Sequence, residues 1–585
     1  MSTTLYTKVD YTLAKLIEDI DMGELALPDI QRPFVWSASK VRDLFDSMYR
    51  GYPVGYLLFW ENDYQEHTRE IGTDNKQKIP KLLIVDGQQR LTSLFAVLKK
   101  KSILTKDFKE KQIIISFNPR DGGFKVADAS TRRNPDFITN ISDVWDEGGS
   151  LLSFVSGYLS KLRESKELEE GEERQISDRI ERLYKIKDYP FTAIELSKRV
   201  DEEQVSQVFV RINSKGVTLN QADFILTLMS VFWDEGRVQL ERFCRDSRKP
   251  VKGEPSPYNH FIEPDPDQLL RVAVGLGFYR ARLKYVYNIL RGKDLETGEY
   301  SSERRKKQFG ILKKAQAYTL DIQNWHEYFK ALMSAGFRSG DMVTSKTTLI
   351  YCYMLFLIGK HDYRLDHNVL RNTIGQWFFM SSVTGRYTGS PETAMERDLR
   401  QLKSINYDAD FVNLLQKIIR DNLTEDFWRI NLPNALDSSA AYSPALFAYH
   451  AAQNILNTKA LFSDLNIADL QDSTTRAHKS GVERHHLFPK AYLDEKGYQT
   501  QDINQIANYA YVEWKDNIDI SDKPPSEYIH EYLSRFKDGE KEKVYELHAL
   551  PENWHEMKYE DFLEDRRKKM AQVIRKGFKK LSEKI

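Results

Sequence analysis

The spacing of apolar residues over roughly the first 125 positions predicts a mixed region of helices and buried strands. Apolar side chains recur every three or four residues from Tyr11 to Ile20 and from Lys40 to Tyr49, which is typical of amphipathic helices. The predicted strands are the short apolar runs GYPVGYLLFW (51–60), PKLLIVDG (80–87) and KQIIISFNP (111–119). A further helix is expected from Leu91 to Lys99, after the Asp86-Gly87 turn.

Residues 151–187 are dense in Glu, Arg and Lys, with apolar residues spaced for one narrow stripe. The stripe consists of Leu162, Leu168, Ile176, Ile180 and Leu183. This pattern predicts a solvated helical hairpin, and the alternative is a coiled coil that binds a partner.

From about residue 220 to 465 the spacing is almost entirely helical. Ser390, Pro391 and Glu392 supply an N-cap, a proline suited to the first turn and an early acid, so a helix should begin there and run through Leu402. We therefore predict a mostly helical α+β protein of three domains. They are an α/β N-terminal domain (1–230), a helical middle domain (231–425) and a helical C-terminal domain (426–585).

Charge and composition narrow the function. Lys+Arg and Asp+Glu both number 86, so a nucleic-acid site has to be a local patch. The longest apolar run, Leu349 to Ile358, is about half a membrane span, and the N-terminus carries acids where a signal peptide needs an apolar core. Only Cys244 and Cys352 occur, which fits a reducing compartment. We expect a soluble cytoplasmic protein with no membrane contact, in which nitrogen and oxygen ligands hold any metal.

The stretch RHHLFPK (484–490) places His485 and His486 side by side, and Asn508 and Asn517 follow. A histidine and two asparagines across about thirty residues resemble the HNH, or ββα-metal, nuclease finger. Phosphodiester hydrolysis needs a neutral imidazole to activate water and a hard cation to stabilise the developing charge. The alternative is an inert, hydrogen-bonded turn; a structural zinc site lacks nearby cysteines.

The resemblance to the HNH finger implies a role for each of these residues. His486 would be the general base, His485 and the Asn517 amide oxygen would be metal ligands, and Asn508 would hold the loop between the strands. The cation would be Mg²⁺ or Mn²⁺. Because an imidazole stands where a carboxylate is more often found, Co²⁺ or Ni²⁺ could also serve.

A second motif is LLIVDGQQRLTSL (82–94), a predicted strand followed by a turn at the start of a helix. Such a turn presents free backbone N–H groups to an anion, Gly87 allows close approach, and Arg90 could clamp a phosphate. The alternative is a structural turn in which Asp86 caps the helix and Arg90 pairs with an acid. Two companion stretches are LPDIQRPFVW (27–36) and VFVRINSKGVTLNQADFI (208–225).

Together these motifs, with SSVTGRYTGSPETAMERDL (381–399), resemble the GmrSD family of type IV restriction enzymes, in a single-chain form. The resemblance implies a ParB/sulfiredoxin-like N-terminal domain that binds or hydrolyses a nucleoside triphosphate, ATP or GTP, and a C-terminal domain that carries the HNH finger. No Walker A sequence occurs in the chain. The nucleotide-binding residues implied are Gln31, Arg32, Asp86, Gly87, Gln88, Gln89, Arg90, Arg211 and Asn213.

The function implied is a modification-dependent DNA endonuclease of anti-phage defence, whose substrate is double-stranded phage DNA with modified bases. Basic runs at 304–307, with Lys313 and Lys314, and at 566–580 could contact the DNA backbone, or could be solvated helix faces. One finger cuts one strand at a time, so a homodimer is a reasonable expectation. The alternatives are a nucleotide-gated DNA-binding regulator with an inactive finger and an HNH toxin that cleaves RNA.

Overall fold

The structure, a computed structural model, describes most of the chain. The described residues are 4–28, 36–61, 68–69, 81–105, 110–146, 150–197, 200, 204–205, 208, 221–250, 253, 255–294, 297, 299, 301–471, 482–537 and 539–583. The chain divides into two compact units, Met1–Arg237 and Val238–Ile585.

A six-stranded mixed sheet forms the centre of the first unit. The strands of this unit are β1 (Tyr6–Thr12), β2 (Leu25–Pro28), β3 (Leu57–Glu61), β4 (Thr68–Arg69), β5 (Leu82–Asp86), β6 (Ile103–Leu104), β7 (Glu110–Lys111), β8 (Ile115–Asn118), β9 (Gly123–Val126) and β10 (Pro190–Leu196). The sheet order is β1-β10-β3-β5-β2-β4, in which β10 and β3, and also β2 and β5, are parallel. The pairs β6–β7 and β8–β9 form separate hairpins.

Both faces of this sheet are covered, because successive side chains of a strand point to opposite sides. Leu57, Phe59 and Ile84 pack into the larger core. Leu58 and Trp60 pack with Leu83, Val85 and Leu196 in a smaller cluster. The predicted strands at 51–60, 80–87 and 111–119 are thus confirmed in part or whole as β3, β5 and β8.

The helices of the first unit follow the predicted periodicity. They are α1 (Leu13–Asp21), α2 (Ala38–Tyr49), α3 (Gln88–Leu98), α4 (Ala129–Arg133), α5 (Leu151–Arg163), α6 (Glu170–Tyr184) and α7 (Gln221–Phe232), with 3-10 turns at Ile141–Trp145 and Lys185–Asp188. The charged segment forms the hairpin α5–α6, and Leu162, Ile176 and Ile180 are buried in the unit's own core. The hairpin prediction is confirmed. Its apolar stripe packs against the core of the first unit and is not presented to a partner.

The second unit consists mainly of helices. After α8 (Asp234–Asp246), which contains the point of division, they are α9 (Pro266–Phe278), α10 (Leu283–Leu290), α11 (Ser302–Leu320), α12 (Ile322–Ser334), α13 (Lys346–His361), α14 (His367–Thr384), α15 (Pro391–Lys403), α16 (Asp408–Asn422), α17 (Leu432–Ala435), α18 (Pro444–Ile455), α19 (Ile467–Leu470), α20 (Lys490–Glu495), α21 (Thr500–Ile503), α22 (Trp514–Ile520), α23 (Pro525–Leu533), α24 (Glu540–Leu547) and α25 (Tyr559–Ser582). Strands β11 (Val482–His486) and β12 (Tyr509–Glu513), short 3-10 turns at Gly340–Met342, Ile506–Asn508 and Trp554–Glu556, and a π-helical turn at Phe427–Asn431 complete it.

Two helices of this unit can be compared with the sequence patterns that predicted them. The apolar run from Leu349 to Ile358 lies in α13, which is buried on every side, as expected of a helix without a polar face. Helix α15 begins at Pro391, as predicted, but the Ser390 side chain makes no cap bond. Within the motif that surrounds this start, Arg386 and Asp398 form a buried ion pair, and the Tyr387 hydroxyl donates to Asp398.

The second unit, Val238–Ile585, includes most of the predicted middle domain (231–425) and all of the predicted C-terminal domain (426–585). Helix α14 packs against both α18 and α25, which joins the two parts. Helices α18 and α25 approach so closely that a Cβ at Gly577 would lie 2.6 Å from Ala452 Cβ. The mostly helical α+β class is confirmed.

No helix in the described part of the chain combines the length and apolar character needed to cross a bilayer. Cys244 and Cys352 are both buried and not disulfide-bonded.

Candidate active site

Strands β11 and β12 form an antiparallel pair at the double histidine. The register places His486 opposite Tyr509 and His485 opposite Ala510. Helix α22 begins directly after β12 and carries Asn517. The segment between the strands contains α20, α21 and the 3-10 turn that ends at Asn508. The order strand, strand, helix is the one that the ββα resemblance predicts.

His485 is buried against the helix of this finger. It is 3% exposed, and its Nδ1 lies 2.8 Å from Asn517 Oδ1. Its Nε2 is buried and has no hydrogen-bond partner among the described residues. Burial lowers the pKa of His485 to about 4, although the bond to Asn517 opposes the shift. The imidazole is therefore neutral near pH 7, the form that binds metals.

The His485 imidazole and the Asn517 amide oxygen are the donor types that the predicted metal site would use. His485 Nδ1 and Asn517 Oδ1 are 2.8 Å apart, a hydrogen-bond distance, so a cation held by both atoms would replace the proton between them. No cluster of three His, Cys, Asp or Glu side chains that could hold a metal occurs in the described part of the chain. The residues present would thus leave most of the coordination shell to water and phosphate oxygens, as hard cations prefer.

His486 lies on the other face of β11. Its Nε2 is 3.0 Å from Asn504 Oδ1, and its ring packs 4.5 Å from the ring of Tyr509, between centroids. Burial lowers the pKa of His486, and the positive charges of Lys490 and Arg484 lower it further, while the Asn504 bond opposes them. A neutral imidazole is thus available to accept a proton.

Two exposed cations stand near His486. Arg484 precedes it by two positions on β11, so both side chains leave the same face of the strand. The Arg484 guanidinium lies 5.8 Å from the centroid of the Tyr509 ring. Lys490 begins α20, immediately after Pro489. Together they make the surroundings of His486 attractive to an anion.

Asn508 connects the two ends of the segment between the strands. Its Oδ1 accepts a hydrogen bond from Phe488 N at 2.9 Å. Its Nδ2 donates to Phe488 O at 3.0 Å and to Ile503 O at 3.1 Å. Since Asn508 is fully buried, these bonds replace water that it cannot reach. The side chain holds the chain that follows His486 and contacts no open surface.

The basic run at 566–580 differs from a free DNA-binding face. Arg566 is fully buried in α25 and donates to Ala507 O at 2.6 Å and to His548 O at 3.2 Å. The other paired cations of the run and their partners are Arg567 with Asp437, Lys568 with Glu564, Arg575 with Glu425 and Lys576 with Glu546. The structure therefore favours a helix docked on its own unit. In the other run, Lys306 and Lys307 are exposed, whereas Arg304 pairs with Asp294.

The DGQQR turn joins β5 to α3 in the first unit. Asp86 ends the strand, and Gly87 caps the helix with φ of +98°, a conformation that favours glycine. A Cβ at Gly87 would lie 2.3 Å from Leu57 Cδ2, so a larger residue would displace the Leu57 side chain. Gln88 and Gln89 form the first turn of α3. Gly87, not Asp86, is the cap, and no side chain caps the helix.

The Arg90 guanidinium lies between the DGQQR turn and the chain before β3. Its Nη1 donates to Val54 O at 2.6 Å and its Nη2 to Tyr56 O at 2.8 Å. The Asp86 carboxylate lies 3.3 Å from Nη2, and the Arg90 side chain is 14% exposed. Burial lowers the pKa of Arg90, with Asp86 opposing. This geometry resembles the structural-turn alternative for Arg90.

Gln31, Arg32, Arg211 and Asn213, the companion residues of the predicted nucleotide site, lie outside the described residues. The structure thus places only the DGQQR part of that site, and the nucleotide-binding assignment stays a prediction.

Comparison with known proteins bears on both units. Residues 13–230 match the family model described as the GmrSD restriction endonuclease, N-terminal domain. This match supports the resemblance to the GmrSD family that the motifs indicated. The chain is also 23% identical over 554 residues to the uncharacterized protein MJ0686 of Methanocaldococcus jannaschii, a match that covers 89% of this chain and 86% of that protein. The GmrSD description indicates a nuclease that acts on DNA.

The GmrSD resemblance and the motif spacing did not indicate every residue near His486. Arg484 could have been found, because strand residues two apart share a face. Asn504 could not, since it follows His486 by eighteen positions in a segment without a repeating pattern. Arg566 supports Ala507, the neighbour of Asn508, yet its sequence context indicated a surface cation.

Proposed function

We propose that the protein is a metal-dependent DNA endonuclease whose active site is the β11–β12–α22 finger. The observation that carries the proposal is a His486 imidazole with a lowered pKa, next in the chain to a His485 imidazole that contacts Asn517 on α22. The GmrSD match over residues 13–230 supports DNA as the substrate.

In the proposed reaction His486 accepts a proton from the attacking water. His485 and Asn517 would hold the cation, which, when bound, stabilises negative charge on the phosphate and the leaving oxygen. Arg484 and Lys490 attract the phosphodiester toward His486. Asn508 keeps the chain after His486 in place through its three side-chain hydrogen bonds.

The wider proposal is a type IV restriction enzyme of anti-phage defence that cuts DNA with modified bases. A nucleoside triphosphate, ATP or GTP, would bind at the DGQQR turn and regulate cleavage. Gln88, Gln89 and the turn amides would contact the nucleotide, and Asp86 would hold a metal or orient water. Arg90, given its carbonyl partners, would need to exchange them for phosphate.

The first experiment compares cleavage of phage DNA with and without modified cytosines, in Mg²⁺ or Mn²⁺, by the wild-type protein and His486→Ala. Removal of the general base should lower cleavage by about 10²–10⁴-fold. His326→Ala is the matched control, because His326 is exposed on α12 of the same unit.

Cleavage that persists in His486→Ala would exclude this residue as the base. Equal cleavage of both DNAs would remove the modification dependence. Tight DNA binding without nicks in any divalent metal would instead support the regulator, and preferred cleavage of tRNA or rRNA would support the toxin.

A further inference from the structure

Asn504 is placed to control the imidazole of His486. It lies in the turn after α21, where its backbone N donates to Thr500 O at 3.0 Å. The preceding residue, Ile503, is held in turn, because its carbonyl accepts from Asn508 Nδ2 at 3.1 Å and from the Tyr559 hydroxyl at 3.2 Å. The position of Asn504 is therefore fixed by groups on three separate elements.

The Asn504 amide oxygen has two neighbours. His486 Nε2 lies 3.0 Å from it, and the Tyr509 hydroxyl donates to it at 3.1 Å. Tyr509 stands directly opposite His486 in the strand register. Because the hydroxyl holds the oxygen toward the imidazole, the ring nitrogen that faces this oxygen has to be the donor.

A neutral imidazole carries its proton on one nitrogen only. A proton on Nε2 leaves the lone pair on Nδ1, and the bond at one nitrogen sets the role of the other. The same bond fixes the rotation of the ring, which packs on Tyr509 with centroids 4.5 Å apart.

We infer that Asn504, held by Tyr509, is a positioning residue that keeps His486 as the Nε2–H tautomer and leaves Nδ1 to take the proton from water. The inference rests on the proposed function for its catalytic consequence. The tautomer itself is a property of the folded protein without substrate.

The kinetic test compares Asn504→Leu with Asn504→Asp in the full-length protein. Leucine removes the acceptor, so kcat should fall about 10–100-fold with little change in KM, by analogy with the loss of a group that orients a metal-bound imidazole through its second nitrogen. Aspartate keeps an acceptor oxygen and should restore most of kcat. Equal loss in both variants, or wild-type kcat in Asn504→Leu, would overturn the inference.

The spectroscopic test uses metal-free protein with ¹⁵N-labelled histidine, in which His486→Ala assigns the signals. The wild type and Asn504→Asp should show a slowly exchanging proton on Nε2, and Asn504→Leu should lose it. A proton on Nδ1 in the wild type would overturn the inference. This measurement does not require cleavage. If the wild-type protein cuts no DNA, the proposed function is contradicted, and the position of the proton on His486 still tests the inference about Asn504.

Tyr509→Phe keeps the ring against His486 and removes only the hydroxyl. If Asn504→Leu fails to fold, as judged by circular dichroism, Tyr509→Phe tests the inference in its place. We expect faster exchange of the Nε2 proton and a kcat reduced by a few fold. Wild-type exchange in Tyr509→Phe would show that the hydroxyl does not hold the amide, contrary to the inference.

Discussion

At the residue scale, two kinds of positive charge lie in and around the finger. Arg566 of the supporting helix α25 is fully buried and contributes to structure. Arg484 and Lys490 are exposed and lie near His486. In a chain of zero net charge such local cations have to provide much of the attraction for a polyanion.

Arg484→Ala and Lys490→Ala should each weaken DNA binding. Each removes one contact to phosphate, so the slope of log K against log salt concentration should fall by about 1, without a change in sequence preference. Lys417→Ala, an exposed lysine of α16, is the charge-matched control. DNA affinity measured across a salt series gives the slope for each variant. If Arg484→Ala and Lys490→Ala have the same slope as Lys417→Ala, the two residues do not bind phosphate.

Buried histidines make the stability of the second unit depend on pH. Burial lowers the pKa of both His450 and His548 to about 4. Since the fold favours the neutral form, their contribution is complete above the unfolded pKa of about 6.5 and is lost as the pH falls toward 4.

Each of these groups should contribute up to about 1.4 kcal/mol per pH unit to the fall of unfolding free energy between pH 6 and 4. Urea unfolding of the full-length protein at several pH values measures the slope. His450→Gln should reduce it, whereas His326→Gln, at an exposed site, should not. An unchanged slope in His450→Gln would mean that this imidazole is charged or accessible in the folded protein.

At the element scale, α25 supports the finger from behind. Arg566 donates to carbonyls on two separate segments, at Ala507 and His548. Ala507 precedes Asn508, whose side chain fixes the segment between β11 and β12. The position of the double histidine thus depends on a helix about eighty residues further along the chain, by residue number.

Arg566→Leu should lower the unfolding free energy of the second unit by about 2–4 kcal/mol, because buried carbonyls lose their donors. Arg575→Ala, which removes an exposed pair with Glu425, should cost under about 1 kcal/mol. Denaturant unfolding of both variants measures the difference. Equal costs would show that the carbonyls find water in the variant.

At the scale of the whole molecule, the candidate nucleotide turn and the candidate nuclease finger belong to different compact units. Regulation of cleavage by a nucleotide would therefore be a coupling between units. The coupling has to be reciprocal. If bound nucleotide changes the affinity for DNA by some factor, bound DNA changes the affinity for nucleotide by the same factor.

Asp86→Ala should remove the effect of ATP or GTP on cleavage while metal binding at His485 is retained. The change removes a carboxylate at the DGQQR turn and leaves the finger sequence intact. Cleavage rates with and without nucleotide measure the effect, beside Asp43→Ala as an exposed aspartate control in the same unit. An unchanged nucleotide response in Asp86→Ala would contradict the coupling.

The sequence by itself determined the elements and the candidate chemistry. Helix α13, hairpin α5–α6 and strands β3 and β5 follow from local apolar spacing, which is a property of neighbouring residues. The spacing of His485, His486, Asn508 and Asn517 predicted a candidate nuclease finger from sequence alone. Each of these signals is short-range along the chain.

Only the tertiary structure decided which polar groups meet. The contact of Asn504 with His486, the carbonyl partners of Arg90 and the burial of Arg566 join residues that are 18, 36 and 59 positions apart. It also joined the middle and C-terminal helices into one unit through α14. Periodicity reports which face of an element is apolar, but hydrogen bonds between distant side chains depend on how the elements pack.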